Sequence, residues 1–181
     1  MTATATTART TTPPIARVAL KPRTGQGLLD GAWWPRSRDL AAELPALADV
    51  LDPLWGRITR VAVNPMLWPV VPRKVTVHHR VMKIGWFTPE LDPHKLLLLS
   101  YGTARFDLLV IPPETEAASA DRLMSAACAQ DGPPATATDL IAAEAARRDD
   151  APAGERAQNV SELRPHHDAT STHAVRTTTG R

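Results

Sequence analysis

The sequence predicts an α+β domain with a mainly antiparallel sheet of about five to six strands and two or three helices packed on one face. Three observations predict this fold. Short apolar or β-branched segments follow one another between residues 58 and 111, with turn residues between them. A helical stripe of leucines precedes these segments, and two Ala-rich helical segments follow them. The second face of the sheet stays unassigned, and it is available for a site.

The strands are predicted from two-residue alternation and from the prolines that end them. The predicted strands cover residues 17–21, 58–63, 74–77, 80–87, 95–100 and 105–111. Pro65, Pro89 and Pro112 follow three of these segments. Because proline has no backbone N–H to donate to a ladder, each of these positions is a natural end for a strand.

The helices are predicted from apolar stripes and from capping residues. The expected N-caps are Ser37, Thr115 and Thr138. The first helix carries a stripe of leucines at residues 40, 44, 47 and 51, and the others span about residues 116–129 and 139–148. Pro45 lies within the leucine stripe. It should kink the first helix or begin a second short one, because an internal proline removes a helical hydrogen bond.

Composition divides the chain into a single folded domain at residues 15–149 and two tails. Residues 1–14 and 150–181 are rich in Thr, Ala and scattered charges, and we expect both tails to be disordered. No stretch of 18 apolar residues is present, and the N-terminus has no apolar core typical of a secretory signal. The sequence therefore predicts a soluble, cytoplasmic protein with no membrane partner.

Charge and cysteine content narrow the function classes. Residues 13–113 carry a net charge of +5 and residues 114–181 a net charge of −4. The basic front part is compatible with an anion-binding face or with an ordinary solvated surface. The single cysteine, Cys128, excludes an internal disulfide and a zinc site built on several thiolates.

Tryptophan is concentrated in one part of the chain. Five of the eight aromatic residues are Trp, and all five lie between positions 33 and 86. Large aromatic rings beside arginines are frequent binding anchors. The resulting candidate ligand-binding residues are Trp33, Trp34, Arg36, Arg38, Trp68, Trp86, His94 and Asp107. The alternative interpretation is that these residues form core packing and a structural ion pair, with Asp107 paired to Arg36 or Arg105.

Residues 30–47, Asp-Gly-Ala-Trp-Trp-Pro-Arg-Ser-Arg-Asp-Leu-Ala-Ala-Glu-Leu-Pro-Ala-Leu, form the most distinctive block. This block resembles the hallmark of an actinobacterial domain-of-unknown-function family, and the resemblance covers about residues 17–145. The resemblance implies a folded domain, but it does not indicate which reaction, if any, the domain catalyses. Where such relatives tend to have a tight turn with glycine, this chain has His78 and His79. The hairpin is therefore expected to be looser here, because two-residue turns require positive φ angles.

No coherent catalytic or metal-binding set is found in the sequence, and no cofactor is predicted. His78 and His79 would point apart in a strand, and His94 lacks identifiable partner ligands. Cys128 is interpreted as a small core residue of an Ala-rich helix.

Three functions remain open. The first is a non-enzymatic binding module that takes a peptide or small anionic ligand in a Trp/Arg-lined groove. The second is a nucleic-acid-associated regulatory protein that uses a basic and aromatic face, with Arg23, Arg36, Arg38, Arg73, Lys74 and Arg80 beside Trp34, Trp68 and Trp86. The third is an enzyme with an unrecognised site near Arg36, Asp107 and His94. The first is preferred because the tryptophans cluster while catalytic groups do not.

Overall fold

Seven strands and three α-helices make up the described part of the chain, residues 15–22, 27–102, 104–130 and 133–150 of a computed structural model. The strands are β1 (Arg17–Leu20), β2 (Gly31–Trp34), β3 (Ile58–Val63), β4 (Lys74–Val77), β5 (Arg80–Trp86), β6 (Lys95–Ser100) and β7 (Arg105–Val110). The helices are α1 (Leu40–Trp55), α2 (Ala117–Cys128) and α3 (Ala137–Asp150), and a short 3-10 turn covers Pro65–Leu67. The described residues up to Ala146 form one compact unit, and a second unit begins at Arg147. The predicted tail at 1–14 lies outside the described residues, and so does the predicted tail at 150–181 except for Asp150, the last residue of α3.

The strands form one mixed sheet in the order β1-β2-β7-β6-β3-β5-β4. Four neighbouring pairs are antiparallel, while β2 with β7 and β3 with β5 are parallel. The α+β class is confirmed. The predicted sheet, mainly antiparallel with five to six strands, fits only in part, because the sheet has seven strands and is mixed. The missing strand is β2, which has only four residues and begins with a glycine, so local pattern gives it little support.

Gly31 explains why β1 and β2 can pair closely. Its φ angle is +155°, and a Cβ atom at this position would lie 2.2 Å from the carbonyl oxygen of Ala19. Only glycine fits such an approach of two backbones. The glycine of the Trp-Trp-Pro-Arg block is therefore a structural requirement of the first hairpin.

The helices lie on both faces of the sheet, so the prediction that they share one face is wrong. Helix α1 packs on the face that carries Trp33, Leu108 and Val110, and this face holds the larger core cluster. Helix α2 packs on the opposite face, over Ala32 and Leu109. The physical reason is that β7 is apolar at consecutive positions, which is typical of a strand covered on both sides.

Helix α1 begins differently from the prediction and runs through its prolines. Asp39, not Ser37, is the N-cap, and its carboxylate accepts hydrogen bonds from the backbone N–H groups of Ala41 and Ala42 at 3.0 and 3.2 Å. The helix is continuous across Pro45 and does not restart there. Its leucine stripe is fully buried, as predicted.

The other caps also differ from those expected. The N-cap of α2 is Glu116, which makes no side-chain capping bond, rather than Thr115. At the start of α3, Thr136 Oγ1 accepts from the Asp139 N–H at 3.1 Å, and Asp139 Oδ2 accepts from the Thr136 N–H at 3.0 Å. This reciprocal pair is a capping box, so α3 begins two residues before the predicted start.

The β4–β5 hairpin is tight rather than loose. His78 and His79 are its two turn residues, with φ angles of 46° and 62°. Two consecutive residues with positive φ are the signature of the type I′ turn, whose twist matches that of the strands. The histidines thus occupy positions that favour Asn and Gly.

Helix α2 contacts β1 and β2, at one end of the sheet, and leaves the same face of β3, β4 and β5 without a described helix. We call this side of β4, β5, β3 and β6, together with the Arg105 end of β7, the open face; Arg60, Val81 and Lys83 are exposed on it. None of the described helices is long and apolar enough to cross a membrane.

Candidate functional site

The two most buried candidate residues form a stack inside the core. The rings of Trp33 and Trp68 are 5.7 Å apart between centroids, with planes at 21°. Their side chains are only 1% and 4% exposed, and both belong to the cluster beneath α1. They therefore offer no surface to a ligand.

Trp34 points to the opposite side of its strand and contacts an arginine that the sequence did not indicate. The guanidinium carbon of Arg17 lies 3.4 Å from the centroid of the Trp34 ring. Arg17 also donates from Nε to the Trp34 carbonyl at 3.0 Å and from Nη2 to the Pro35 carbonyl at 2.7 Å. Arg36 and Arg38 lie close to Trp34 in the sequence, but the arginine over its ring is Arg17, from the neighbouring strand β1.

Arg36 lies at the rim of a small cleft beside this stack. The cleft has a volume of about 80 Å³, and Arg17, Trp34 and Glu43 share its lining with Arg36. Arg36 Nη2 donates to the Ile15 carbonyl at 3.2 Å, and the Arg36 N–H donates to Glu43 Oε2 at 3.1 Å. A cleft of this size is well below the few hundred cubic ångströms of an ordinary ligand pocket.

Arg38 and His94 lie close enough to interact electrostatically. Arg38 Nη1 donates to the Leu67 carbonyl at 2.9 Å, and its other terminal nitrogen pairs with Glu114. This hydrogen bond from Arg38 lowers the pKa of Glu114. Burial lowers the pKa of His94, the nearby Asp92 carboxylate raises it, and the positive charge of Arg38 lowers it, with a net shift downwards.

Asp92 connects the loop before β6 with the start of α3. Its carboxylate accepts from the Thr138 N–H at 2.9 Å, from Thr138 Oγ1 at 2.7 Å and from the His94 N–H at 2.8 Å. Burial raises the pKa of Asp92, but these hydrogen bonds outweigh it and lower the pKa overall. The cluster fixes the first turn of α3 and has no arrangement that suggests catalysis.

Trp86 and Asp107 lie elsewhere. Trp86 is 44% exposed, and the Arg73 guanidinium carbon is 5.7 Å from the centroid of its ring. Asp107 pairs with Arg105 at 3.2 Å and with Lys95 at 3.8 Å. The expected ion pair of Asp107 is therefore made by Arg105, one of the two partners that the sequence allowed, and not by Arg36.

The candidate residues are thus brought together only in pairs. Trp33 meets Trp68 in the core, and Arg38 lies near His94. In the described part of the chain, no hydrogen bond or ion pair links Arg36, His94 and Asp107 to one another. An enzymatic site would depend on these three residues. In the same part of the chain, no three His, Cys, Asp or Glu side chains are grouped as metal ligands would be.

Cys128, on α2, is half-buried. Burial raises the pKa of its thiol, which disfavours the reactive thiolate. This environment is compatible with the packing role that the sequence predicts.

A row of basic residues, which the sequence alone does not reveal, crosses the open face. Lys74 on β4 pairs with Lys83 on β5, and Lys83 pairs with Arg60 on β3. Arg60 pairs with Leu99 on β6, which pairs with Arg105 on β7. We call Lys74, Lys83, Arg60 and Arg105 the basic row. It extends roughly 19 Å, because neighbouring strands are about 4.8 Å apart.

Few negatively charged side chains lie beside the basic row. Within the described strands, Asp107 is the single carboxylate on the open face, and it pairs with Arg105 and Lys95. Lys74, Lys83 and Arg60 form no ion pair with any described residue, and all three are exposed. Like charges directly opposite one another on paired strands destabilise a sheet, so packing alone does not account for this arrangement.

A second row runs parallel to the first, two residues further along each strand. It consists of Gly85, Ala62 and Leu97, which pair across β5, β3 and β6, and it ends at Asp107 on β7. The ring of Phe87 lies against Gly85 and is 52% exposed. We call Phe87, Gly85, Ala62 and Leu97 the apolar row. Its distance from the basic row is roughly 7 Å, the rise of two residues in a strand.

Comparison with known proteins identifies a family but no characterised relative. A model of the DUF5994 family, described as a family of unknown function, matches residues 17–127. The chain belongs to this family. No curated protein and no solved structure matches it.

The matched segment of this DUF5994 protein extends from the start of β1 almost to the end of α2. It contains the whole basic row and the whole apolar row. The predicted membership of a domain-of-unknown-function family is confirmed, although the match ends earlier than the expected residue 145. The description of the DUF5994 family names no activity.

Proposed function

We propose that this chain is a non-enzymatic binding protein that recognises a polyanionic partner through the open face. The observation that carries the proposal is the register that aligns Lys74, Lys83 and Arg60 side by side on three neighbouring strands. Their positive potentials add where the charges are close, and an exposed sheet presents them without obstruction. A partner with regularly spaced negative charges would neutralise all three at once.

Repulsion within the row supports a binding role over a purely structural one. Adjacent cations on paired strands oppose folding by a few tenths of a kcal/mol or more for each pair. A surface that serves only solubility has no need of this arrangement, since alternating signs give the same solubility at lower cost to stability. A bound polyanion removes the repulsion and so has a direct thermodynamic reason to bind here.

The cleft beside Trp34 is the second candidate, and it corresponds to the Trp/Arg groove that the sequence favours. Two cationic side chains, Arg17 and Arg36, line it, which would suit a small anion or a terminal carboxylate. Both arginines already donate to backbone carbonyls, and these bonds tie β1 to the segment after β2. The open face is the stronger candidate because the side chains of Lys74, Lys83 and Arg60 make no such bonds to described residues.

The test is the affinity of the full chain for inorganic polyphosphate, measured by calorimetry over a series of salt concentrations. We expect binding that weakens steeply as salt increases, since the contacts are charge pairs on an exposed surface. Lys83→Gln should reduce the affinity at least threefold, because Lys83 lies between Lys74 and Arg60 in the row.

Arg73→Gln is the matched control. It removes the same unit of charge from an exposed residue next to β4, but from a side chain directed at the Trp86 ring rather than along the row. Its affinity should stay close to that of the unmodified chain. Equal losses in the two variants, or no binding of polyphosphate at all, would reject the open face as an anion-binding surface.

A further inference from the structure

The open face offers two kinds of surface in parallel. The basic row provides charge, and the apolar row, roughly 7 Å away, provides an exposed aromatic ring and the half-buried side chain of Leu97. A simple polyanion such as polyphosphate would occupy the basic row and leave the apolar row in water. A partner that carries charge along one edge and flat apolar groups along the other would cover both rows.

We infer that the open face binds single-stranded nucleic acid, with phosphates along the basic row and bases over the apolar row. This inference rests on the function proposed above, because it identifies the class of polyanion that the same face takes. Single strands present unstacked bases, and proteins bind such strands by combining a basic track with rings on which bases stack. Phe87 supplies that ring directly after the C-terminal end of β5.

The geometry favours a single strand over a duplex. In a duplex the bases are stacked inside and present only their edges, which a helix or narrow ribbon reaches by entering a groove. The open face is the broad side of paired strands, and no described helix covers its β3, β4 and β5 part. It can contact the phosphates of a duplex, but its apolar row would find no base surface there.

An acidic peptide fits the basic row but not the apolar row. Glutamate and aspartate side chains can pair with Lys74, Lys83 and Arg60, yet they bring no planar surface to Phe87. Single-stranded nucleic acid contacts both rows, and it is therefore favoured over an acidic peptide as the partner.

The direct test uses fluorescence anisotropy of a labelled 12-nucleotide oligothymidylate with the full chain. We expect the logarithm of the affinity to fall with the logarithm of salt concentration with a slope of about −2. This value follows from three phosphate contacts, each of which contributes about −0.7 on a single strand. Unlabelled duplex of the same length and polyglutamate should compete at least tenfold less well than unlabelled oligothymidylate.

Phe87→Ala separates base stacking from charge. It should weaken oligothymidylate binding by about fivefold or more, because stacking on an aromatic ring contributes strongly to such complexes, and leave polyphosphate binding unchanged. Phe87→Tyr keeps the ring and should restore the affinity. Leu54→Ala is the control, because Leu54 is also a large exposed apolar residue but belongs to α1, on the covered side of the sheet.

The outcomes distinguish this inference from the function on which it rests. If polyphosphate binds and Lys83→Gln weakens it, but Phe87→Ala leaves oligothymidylate binding unchanged, the inference fails and the anion-binding function stands. Equal competition by duplex, or stronger competition by polyglutamate, also overturns the inference. If neither polyphosphate nor oligothymidylate binds, both proposals fail together.

Discussion

Trp33 on β2 stacks on Trp68 beneath helix α1, with ring centroids 5.7 Å apart. The two rings come from segments that are 35 positions apart in the sequence, and both are almost completely buried. The pair therefore joins the first hairpin of the sheet to the loop after β3. Through Trp33, the distinctive block at residues 30–47 contributes to the packing of the core.

Trp33→Ala should destabilise the fold by about 3–5 kcal/mol, the usual range for truncation of a buried large aromatic side chain. The measurement is the free energy of unfolding in urea. Trp86→Ala is the comparison, because Trp86 is 44% exposed and should cost far less. Similar losses in the two variants would contradict the core role assigned to Trp33.

The sequence predicted most strands but not how they pair. Strands β3 to β7 follow the predicted segments within one residue at either end, because their alternation and terminal prolines are local signals. Strand β2 was missed because four residues that begin with Gly31 carry almost no strand pattern. The parallel pairing of β3 with β5 depends on contacts between distant segments, and no local signal encodes it.

The basic row could not be predicted for the same reason, because it depends on which strands pair with one another. The sequence places Lys74 in a candidate basic and aromatic face, but no local feature distinguishes Lys83 or Arg60. Each is simply the polar member of an alternating strand, and only the sheet order places them side by side. Conversely, the sequence predicts Trp33 and Trp68 as ligand-binding residues because of their aromatic rings, but both side chains are buried in the core.

His79→Gly should stabilise the protein by roughly 1 kcal/mol, because a non-glycine residue in the left-handed region carries a steric cost of about that size. His79 has a φ of 62° in the β4–β5 turn. Thermal unfolding monitored by circular dichroism measures the change. His79→Ala keeps the Cβ atom and should give no such gain; stabilisation by both variants would argue against a backbone origin.

Acid should weaken the fold through His94. Its pKa is lowered in the folded chain, chiefly by burial, so the unfolded chain binds the proton more readily. Stability should therefore fall as the pH drops through about 6.5, the ordinary histidine value. Urea unfolding at pH 7.5 and pH 5.5 measures this loss.

The control for that measurement is His94→Gln, which should lose less stability over the same interval. Asp92 adds a separate contribution at lower pH, because its pKa is also lowered in the fold and its stabilisation is lost only as the pH falls through that lowered value. An unchanged pH dependence in His94→Gln would show that other groups cause the loss.

The aligned cations of the open face are proposed to bind a partner and not to stabilise the fold. Lys83→Glu tests this proposal most directly, with polyphosphate affinity and the free energy of unfolding measured on the same preparation at low salt. The account predicts that affinity falls at least tenfold, while stability is unchanged or higher, because a carboxylate between Lys74 and Arg60 replaces repulsion with attraction. Undiminished affinity in this variant, with the fold intact, would contradict the account.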